Sequence, residues 1–225
     1  MTRKQLGAAL IQGALMLDAK GVNQGMSGNL SVRCDDGYLI TPSGMAYKDC
    51  TPDDMVWMGF DGHIEGQRKP SSEWRFHHDI LASRAEIGAV VHTHSRFATT
   101  LACLQSDIPA FHYMIALAGG NSIRCAPYAT YGTQQLSDHA LQALQGRKAC
   151  LLGNHGLIVL GETLDSALAL TIEVETLCEI YWRTLQIGQP ILLSDEEMST
   201  VQEKFRHYGS NAQSASSETS APGAT

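Results

Sequence analysis

The sequence has no Cys-x-x-Cys pair and no dense cysteine framework. Its six cysteines, Cys34, Cys50, Cys103, Cys125, Cys150 and Cys178, are scattered over 225 residues. This excludes a disulfide-stapled scaffold and fits free, mostly buried thiols of a reducing cytosol, so a cytoplasmic location is expected. No run of 18 apolar residues occurs, so no membrane-spanning helix is expected. A surplus of basic residues is also lacking: 16 Lys and Arg stand against 23 Asp and Glu, for a formal net charge of −7. Without spare cations to neutralise phosphates, non-specific nucleic-acid binding is not expected. A small phosphorylated molecule needs only a local site and is not excluded. The opening Met1-Thr2-Arg3-Lys4-Gln5-Leu6 is basic, but Gln12 and Asp18 interrupt the apolar residues after it and no cleavage-type ending appears, so it is not read as a signal peptide. There is no internal repeat and no Walker loop, which argues against a nucleoside triphosphate.

What is present is an ordinary globular composition, 44% hydrophobic and 17% charged, on a chain long enough for one large domain. Leu6, Leu10 and Leu17 at helical spacing predict a first helix over 2–20, ended by Gly21. Short strands are expected at Leu30–Arg33, Tyr38–Thr41 and Val56–Met58, with turns at Asp35-Asp36-Gly37, Thr41-Pro42-Ser43-Gly44 and Asp61-Gly62. Pro70-Ser71-Ser72 opens a helix to about Arg84. The apolar run Ile87–Val91 is a buried strand that ends in His92-Thr93-His94. Helices are expected at 96–104, 112–118, 133–145, 163–187 and 194–207, and strands near 122–125, at Ala149–Leu152 and at Leu157–Leu160. From Gly209 the chain becomes rich in Ser, Ala and Thr and is expected to be disordered. The pattern is one α/β domain with many strands and flanking helices, too irregular for a simple βαβ repeat.

His92 and His94 are two residues apart at a strand end, so their imidazoles share a face. Three histidine nitrogens with one open position is the usual arrangement of a catalytic zinc, and His155, flanked by Gly153 and Gly156, is available as the third. The plainer reading of the pair is two surface or core histidines. Glu73 reads either as a first-turn carboxylate on a helix dipole or as a ligand that lets go and shuttles a proton. Ser71 and Ser72 cap a helix or, with its free N–H groups, bind phosphate. Gly28-Asn29 and Ser43-Gly44 are turns or further phosphate contacts. Tyr113 and Tyr208 read as packing residues in isolation. His63, His77, His78, His112 and His139 are assigned to structure or solvent.

Taken in order, Gly28-Asn29-Leu30-Ser31, Thr41-Pro42-Ser43-Gly44, Pro70-Ser71-Ser72-Glu73-Trp74-Arg75-Phe76-His77, His92-Thr93-His94 and Asn154-His155-Gly156-Leu157 resemble the class II aldolase/adducin family. The stretches His112–Gly132 and Leu193–Glu197 are similar to its bacterial L-fuculose-phosphate aldolase branch. The resemblance covers residues 1–208 and implies a single catalytic domain with a central, mostly antiparallel sheet flanked by helices, followed by a tail over 209–225.

It implies Zn²⁺, with Co²⁺ or Mn²⁺ as alternatives, on Glu73, His92, His94 and His155. It places the substrate phosphate among Gly28, Asn29, Ser43, Gly44, Ser71 and Ser72. Glu73 and Tyr113 would transfer protons. Tyr208 would close the site, and the sites would lie between subunits of a homotetramer, with Tyr113 and Tyr208 serving a neighbour. The implied reaction cleaves a ketose 1-phosphate to dihydroxyacetone phosphate and a small aldehyde, with L-fuculose 1-phosphate and L-lactaldehyde the first expectation. Tyr131, where the fuculose enzymes carry Phe, keeps 5-deoxyribulose 1-phosphate and 5-methylthioribulose 1-phosphate as alternatives. A pentulose-phosphate 4-epimerase, a dehydratase and a non-enzymatic adducin-like module are further alternatives. Glu at position 73, where the epimerases carry Asp, argues for an aldolase.

Overall fold

The apolar run before His92 forms the middle of the molecule. In the computed structural model, which describes residues 1–207, this run is strand β5 (Ala89–Thr93), buried at all five positions. A strand covered on both faces needs no polar alternation, which is why the sequence there is continuous rather than periodic. Its neighbours are β1 (Asn29–Cys34) and β8 (Gly156–Gly161), both antiparallel to it. With β2 (Gly37–Ile40), β3 (Val56–Gly59), β4 (Ile64–Glu65), β6 (Arg124–Ala126) and β7 (Ala149–Leu152) they form one sheet in the order β4-β3-β2-β1-β5-β8-β7-β6. Only the β6–β7 pair is parallel, so the mostly antiparallel α/β architecture expected from the sequence is the one observed.

Helices cover both faces. Val90, Ile158 and Leu160 point to one side and pack on Ile80 and Leu81 of α2 (Trp74–Ser83) and Leu136 and Ala140 of α4 (Gln134–Ala143). Leu30 and Val91 point to the other and pack on Leu10 and Leu17 of α1 (Arg3–Ala19) and Leu168 of α5 (Leu164–Ile187). A third cluster joins Val159 and Leu177 to Leu101 of α3 (Arg96–Ala102) and Met198 of α6 (Asp195–His207). Three helix starts carry hydroxyl caps: Thr2 accepts from Gln5 N, Thr133 from Leu136 N and Thr163 from Ser166 N. Helix α3 is capped from a distance, by Glu175 of α5, whose carboxylate accepts from Phe97 N at 2.8 Å and Ala98 N at 2.9 Å.

Several elements differ from the sequence reading. The helix expected to open at Pro70 begins at Trp74, with Glu73 at its N-cap. The carboxylate of Glu73 is engaged elsewhere, and Ser71 Oγ accepts instead from Glu73 N. Residues 113–118 form a 3₁₀ helix (Tyr113–Ala118), tighter than the expected α-helix and ended by Gly119 at φ 94°. Strand β4 and short 3₁₀ turns at Tyr47–Asp49 and Pro52–Asp54 had no periodic signal, being too short to carry one. Among the cysteines, all free, Cys34, Cys150 and Cys178 are buried, Cys50 and Cys125 half-buried and Cys103 exposed. Among the described residues no helix is long and apolar enough to cross a membrane. Tyr208 and the 209–225 segment lie outside the described residues.

Candidate active site

Sheet register brings the first ligand candidates together. His92 sits opposite Asn29 of β1 and Ile158 of β8, on the face covered by α2. Its Nδ1 lies 3.0 Å from the Leu157 carbonyl oxygen. A carbonyl only accepts, so the ring donates from Nδ1 and turns Nε2 to the site. His94, just past the strand end, turns its Nε2 to within 3.1 Å of His92 Nε2. His155 arrives from the β7–β8 hairpin, where Asn154 takes a left-handed φ of 53°. The ring centroid of His155 lies 4.8 Å from that of His92 and 4.9 Å from that of His94. Gly156 permits this approach: a Cβ there would sit 2.5 Å from Thr93 O and 3.4 Å from His92 Cε1.

Glu73 completes the cluster from the start of α2. One carboxylate oxygen, Oε2, lies 3.2 Å from His92 Nε2 and the other, Oε1, 3.2 Å from His155 Nε2. Asn29 Nδ2 donates to Oε2 at 3.0 Å. Glu73 is buried. Burial alone would raise its pKa, but the charges and hydrogen bonds of His92 and His155 outweigh that and hold the carboxyl far below the ordinary carboxylate range. His94 is pushed down to about 4 by burial and by the neighbouring His92 and His155. One ligand atom from each of the four residues lies within 4.8 Å of the others. A tetrahedral zinc with bonds of about 2.0–2.2 Å separates its donors by roughly 3.3 Å, close to the 3.1–3.2 Å spacings here. Three inward nitrogens and a buried carboxylate therefore fit a divalent cation.

Next to this cluster opens a cavity of about 340 Å³ lined by Glu73, His94 and His155, by Gly28, Asn29, Ser43, Gly44, Ser71 and Ser72, and by Met26, Tyr128 and Tyr131. No Lys or Arg is among its described lining residues. A phosphate there would be held by hydroxyls, amides and the positive end of α2. Gly28 and Gly44 take left-handed φ values of 84° and 67°, and Tyr47 Oη fixes the first turn by donating to Gly28 O at 2.8 Å.

Residues 8–182 match the family described as Class II Aldolase and Adducin N-terminal domain. The chain belongs to the class II aldolase and adducin family. Relatives of nearly the same length carry the aldolase name. A 5-methylthioribulose-1-phosphate/5-deoxyribulose-1-phosphate aldolase of Rhodospirillum rubrum is 57% identical over 94% of this chain and 96% of that protein. An L-fuculose phosphate aldolase of Escherichia coli K12 is 49% identical over 93% and 98%. A solved structure of an L-fuculose 1-phosphate aldolase superposes with a TM-score of 0.89 at 40% identity, covering 92% of this chain and 98% of that one. The chain is thus a class II aldolase.

Not every site residue anticipated in this aldolase converges on the cavity. Tyr113 is half-exposed and lines a different cleft, with His112, Met114, Leu193 and Phe205. Tyr131 stands at the cavity mouth, two-thirds exposed, beside Tyr128 and Met26. His77, assigned to structure or solvent, is structural and not solvent-facing: it is fully buried, 2.7 Å from Ser31 Oγ and 2.5 Å from Asn29 Oδ1. Burial, reinforced by His92, lowers its pKa to about 3, so the ring is neutral. Its position four residues after Glu73, on the same face of α2, was the available signal. The other histidines are peripheral: His78 contacts Asp79, His139 Nδ1 lies 3.1 Å from Pro127 O and His112 accepts from Met114 N.

Proposed function

We propose that this aldolase cleaves a 5-substituted ribulose 1-phosphate, with 5-methylthioribulose 1-phosphate and 5-deoxyribulose 1-phosphate as substrates, giving dihydroxyacetone phosphate and a small aldehyde. The observation that carries this reading is the 57% identity, over nearly the whole chain, to a relative named for both substrates. Tyr131 agrees with it, being the position at the cavity mouth where the sequence departs from the fuculose pattern. L-Fuculose 1-phosphate becomes the second reading, supported by the 49% identical relative.

Glu73, His92, His94 and His155 would hold Zn²⁺. Bound there, the cation would supply Lewis-acid stabilisation of the negative charge that builds on the cleaved ketose. Gly28, Asn29, Ser43, Gly44, Ser71 and Ser72 hold the phosphate and so fix the C3–C4 bond beside Glu73. Tyr113 of a neighbouring subunit takes the proton from the C4 hydroxyl as the C3–C4 bond breaks and the aldehyde carbonyl forms. Glu73 takes up one proton per turnover, equivalent to the one Tyr113 passes on to solvent, and delivers it to C3, where the electron pair of the broken C3–C4 bond becomes the new C–H bond. The hydrogen bond from Asn29 holds the carboxylate in place. Tyr131, Tyr128 and Met26 face the leaving aldehyde. Tyr208 closes the site from a neighbour, and the compartment is the cytoplasm.

The test is a panel of the three ketose 1-phosphates assayed for dihydroxyacetone phosphate and free aldehyde. The two pentulose phosphates are expected to exceed L-fuculose 1-phosphate in kcat/KM by about tenfold or more, a difference of roughly 1.4 kcal/mol or greater. The reverse order would return the reading to L-fuculose 1-phosphate. Epimerised ketose without free aldehyde would mark an epimerase. Chelation is expected to abolish cleavage and Zn²⁺ to restore it; activity surviving complete metal removal would overturn the metal assignment.

A further inference from the structure

His77 ties together a line of polar side chains that the reaction does not obviously need. Its Nδ1 meets Ser31 Oγ at 2.7 Å, its Nε2 meets Asn29 Oδ1 at 2.5 Å, and Asn29 Nδ2 meets Glu73 Oε2 at 3.0 Å. The direction of each bond follows from the last one. A carboxylate at neutral pH only accepts, so Asn29 turns its amino group to Glu73 and its carbonyl oxygen to His77. That oxygen also only accepts, so the His77 proton sits on Nε2. Nδ1 is then a lone pair, and the Ser31 hydroxyl donates to it. Ser31 and Asn29 are two apart on β1 and share a face, while Glu73 and His77 are one helical turn apart at the start of α2. Strand and helix are interlocked by this one-way chain of donors, all of it buried.

We propose that His77, oriented by Ser31, is a positioning residue that locks the Asn29 carboxamide with its amino group toward Glu73. Without the Nε2 donor, the amide is free to rotate and set its carbonyl oxygen against the carboxylate. Two acceptors would then face each other at a buried carboxylate, and Glu73 would lose the partner that holds it in place while it moves a proton. This inference rests on the role of Glu73 in the proposed function and adds a residue to it. Outer hydrogen-bond partners of metal-binding side chains are typically worth about 10–100-fold in affinity or activity.

The test combines a spectroscopic and a kinetic measurement on the full-length protein. Proton–nitrogen NMR of protein labelled at the histidine ring nitrogens, with and without Zn²⁺, reads the His77 tautomer: Nε2 protonated and Nδ1 bare is expected, and the opposite tautomer would overturn the chain of donors. His77→Leu removes the donor at similar bulk, whereas His77→Gln places an amide N–H where Nε2 was. His77→Leu is expected to lower kcat for exchange of the dihydroxyacetone phosphate C3 proton by about 10–100-fold, with KM changed far less, and His77→Gln to recover most of that loss. Wild-type kcat in His77→Leu, or no rescue by a folded His77→Gln, would overturn the positioning role alone. If His77→Leu does not fold, Ser31→Ala replaces it, with a mixture of tautomers and a lowered kcat expected and an unchanged tautomer and kcat counting against the proposal. A wild-type protein inactive on every ketose phosphate would instead overturn the proposed function, and the positioning role with it.

Discussion

In the proposed reaction Glu73 is the residue on which binding and chemistry meet. It is buried, faces two imidazoles at 3.2 Å and has one directed amide donor. Glu73→Gln keeps the shape but removes the proposed base, so exchange of the dihydroxyacetone phosphate C3 proton is expected to fall by about 10²–10⁴-fold, the usual worth of a general acid–base group. Exchange at the wild-type rate would remove Glu73 from that role. Gly156 acts by what it lacks. A methyl 2.5 Å from Thr93 O forces the β7–β8 hairpin away from His92. A displacement near 1 Å costs on the order of 100-fold in rate. Gly156→Ala should therefore show a large loss of kcat and weaker metal retention in a folded protein; near-normal values of both would show that the close approach is not required.

At the scale of elements, α2 is the part that serves both core and site. Its N-terminus carries Glu73 and its inner face His77, while Asp79 fastens it to α4. The Asp79 carboxylate accepts from Ser137 Oγ at 2.6 Å and Gln134 Nε2 at 2.7 Å. Burial would raise its pKa, but hydrogen bonds from Ser137, His78 and Gln134 outweigh this and lower it. A carboxyl lowered in the folded state adds stability above its unfolded value, about 3.9, and that contribution is lost as pH falls through the folded value. Asp79→Asn is expected to lose about 1–2 kcal/mol at neutral pH, or a few degrees of Tm. The gap between wild type and variant should narrow on acidification below about pH 4. A thermal melt series over pH checks this; a gap that stayed constant would mean the charge of Asp79 is not what joins the helices. The 3₁₀ helix that carries Tyr113 was legible as helical but not as 3₁₀. Hydrophobic spacing over six residues does not separate the two, and the difference is set by packing against α5 and α6.

At the scale of the molecule, the two proton-transfer groups of the proposed reaction do not meet in one protomer. Tyr113 opens onto a separate apolar cleft. Ile187, Ile191 and Leu192 are also exposed, the first two about nine-tenths. Exposed apolar surface of this kind suits contacts between copies. A sedimenting species of four times the 24.4 kDa chain is expected. The sharper test mixes two inactive proteins, Glu73→Gln and Tyr113→Phe, with subunit exchange. Sites between subunits would then regain activity at about a quarter of the wild-type level, because random assembly leaves one site in four with both intact partners. No recovery in verified mixed oligomers would place Tyr113 outside the neighbour's site.

The sequence by itself determined the candidate ligand set and the architecture. His92-Thr93-His94 at the end of an apolar run and His155 between glycines are local patterns, and strand period and turn chemistry act over a few residues. The order of the short motifs carried the family resemblance that the full-length comparisons bear out. Tertiary structure alone decided what depends on register and approach. Asn29 lies opposite His92 because β1 pairs with β5, and no local signal states that pairing. His77 looked like one histidine among nine until the packing of α2 on the sheet set it between Ser31 and Asn29. Glu73 taken alone read better as a helix-dipole carboxylate, until the hairpin brought His155 to it. The physical reason is the same in each case: residue type fixes what a side chain can donate or accept, and only the fold fixes which partner it meets.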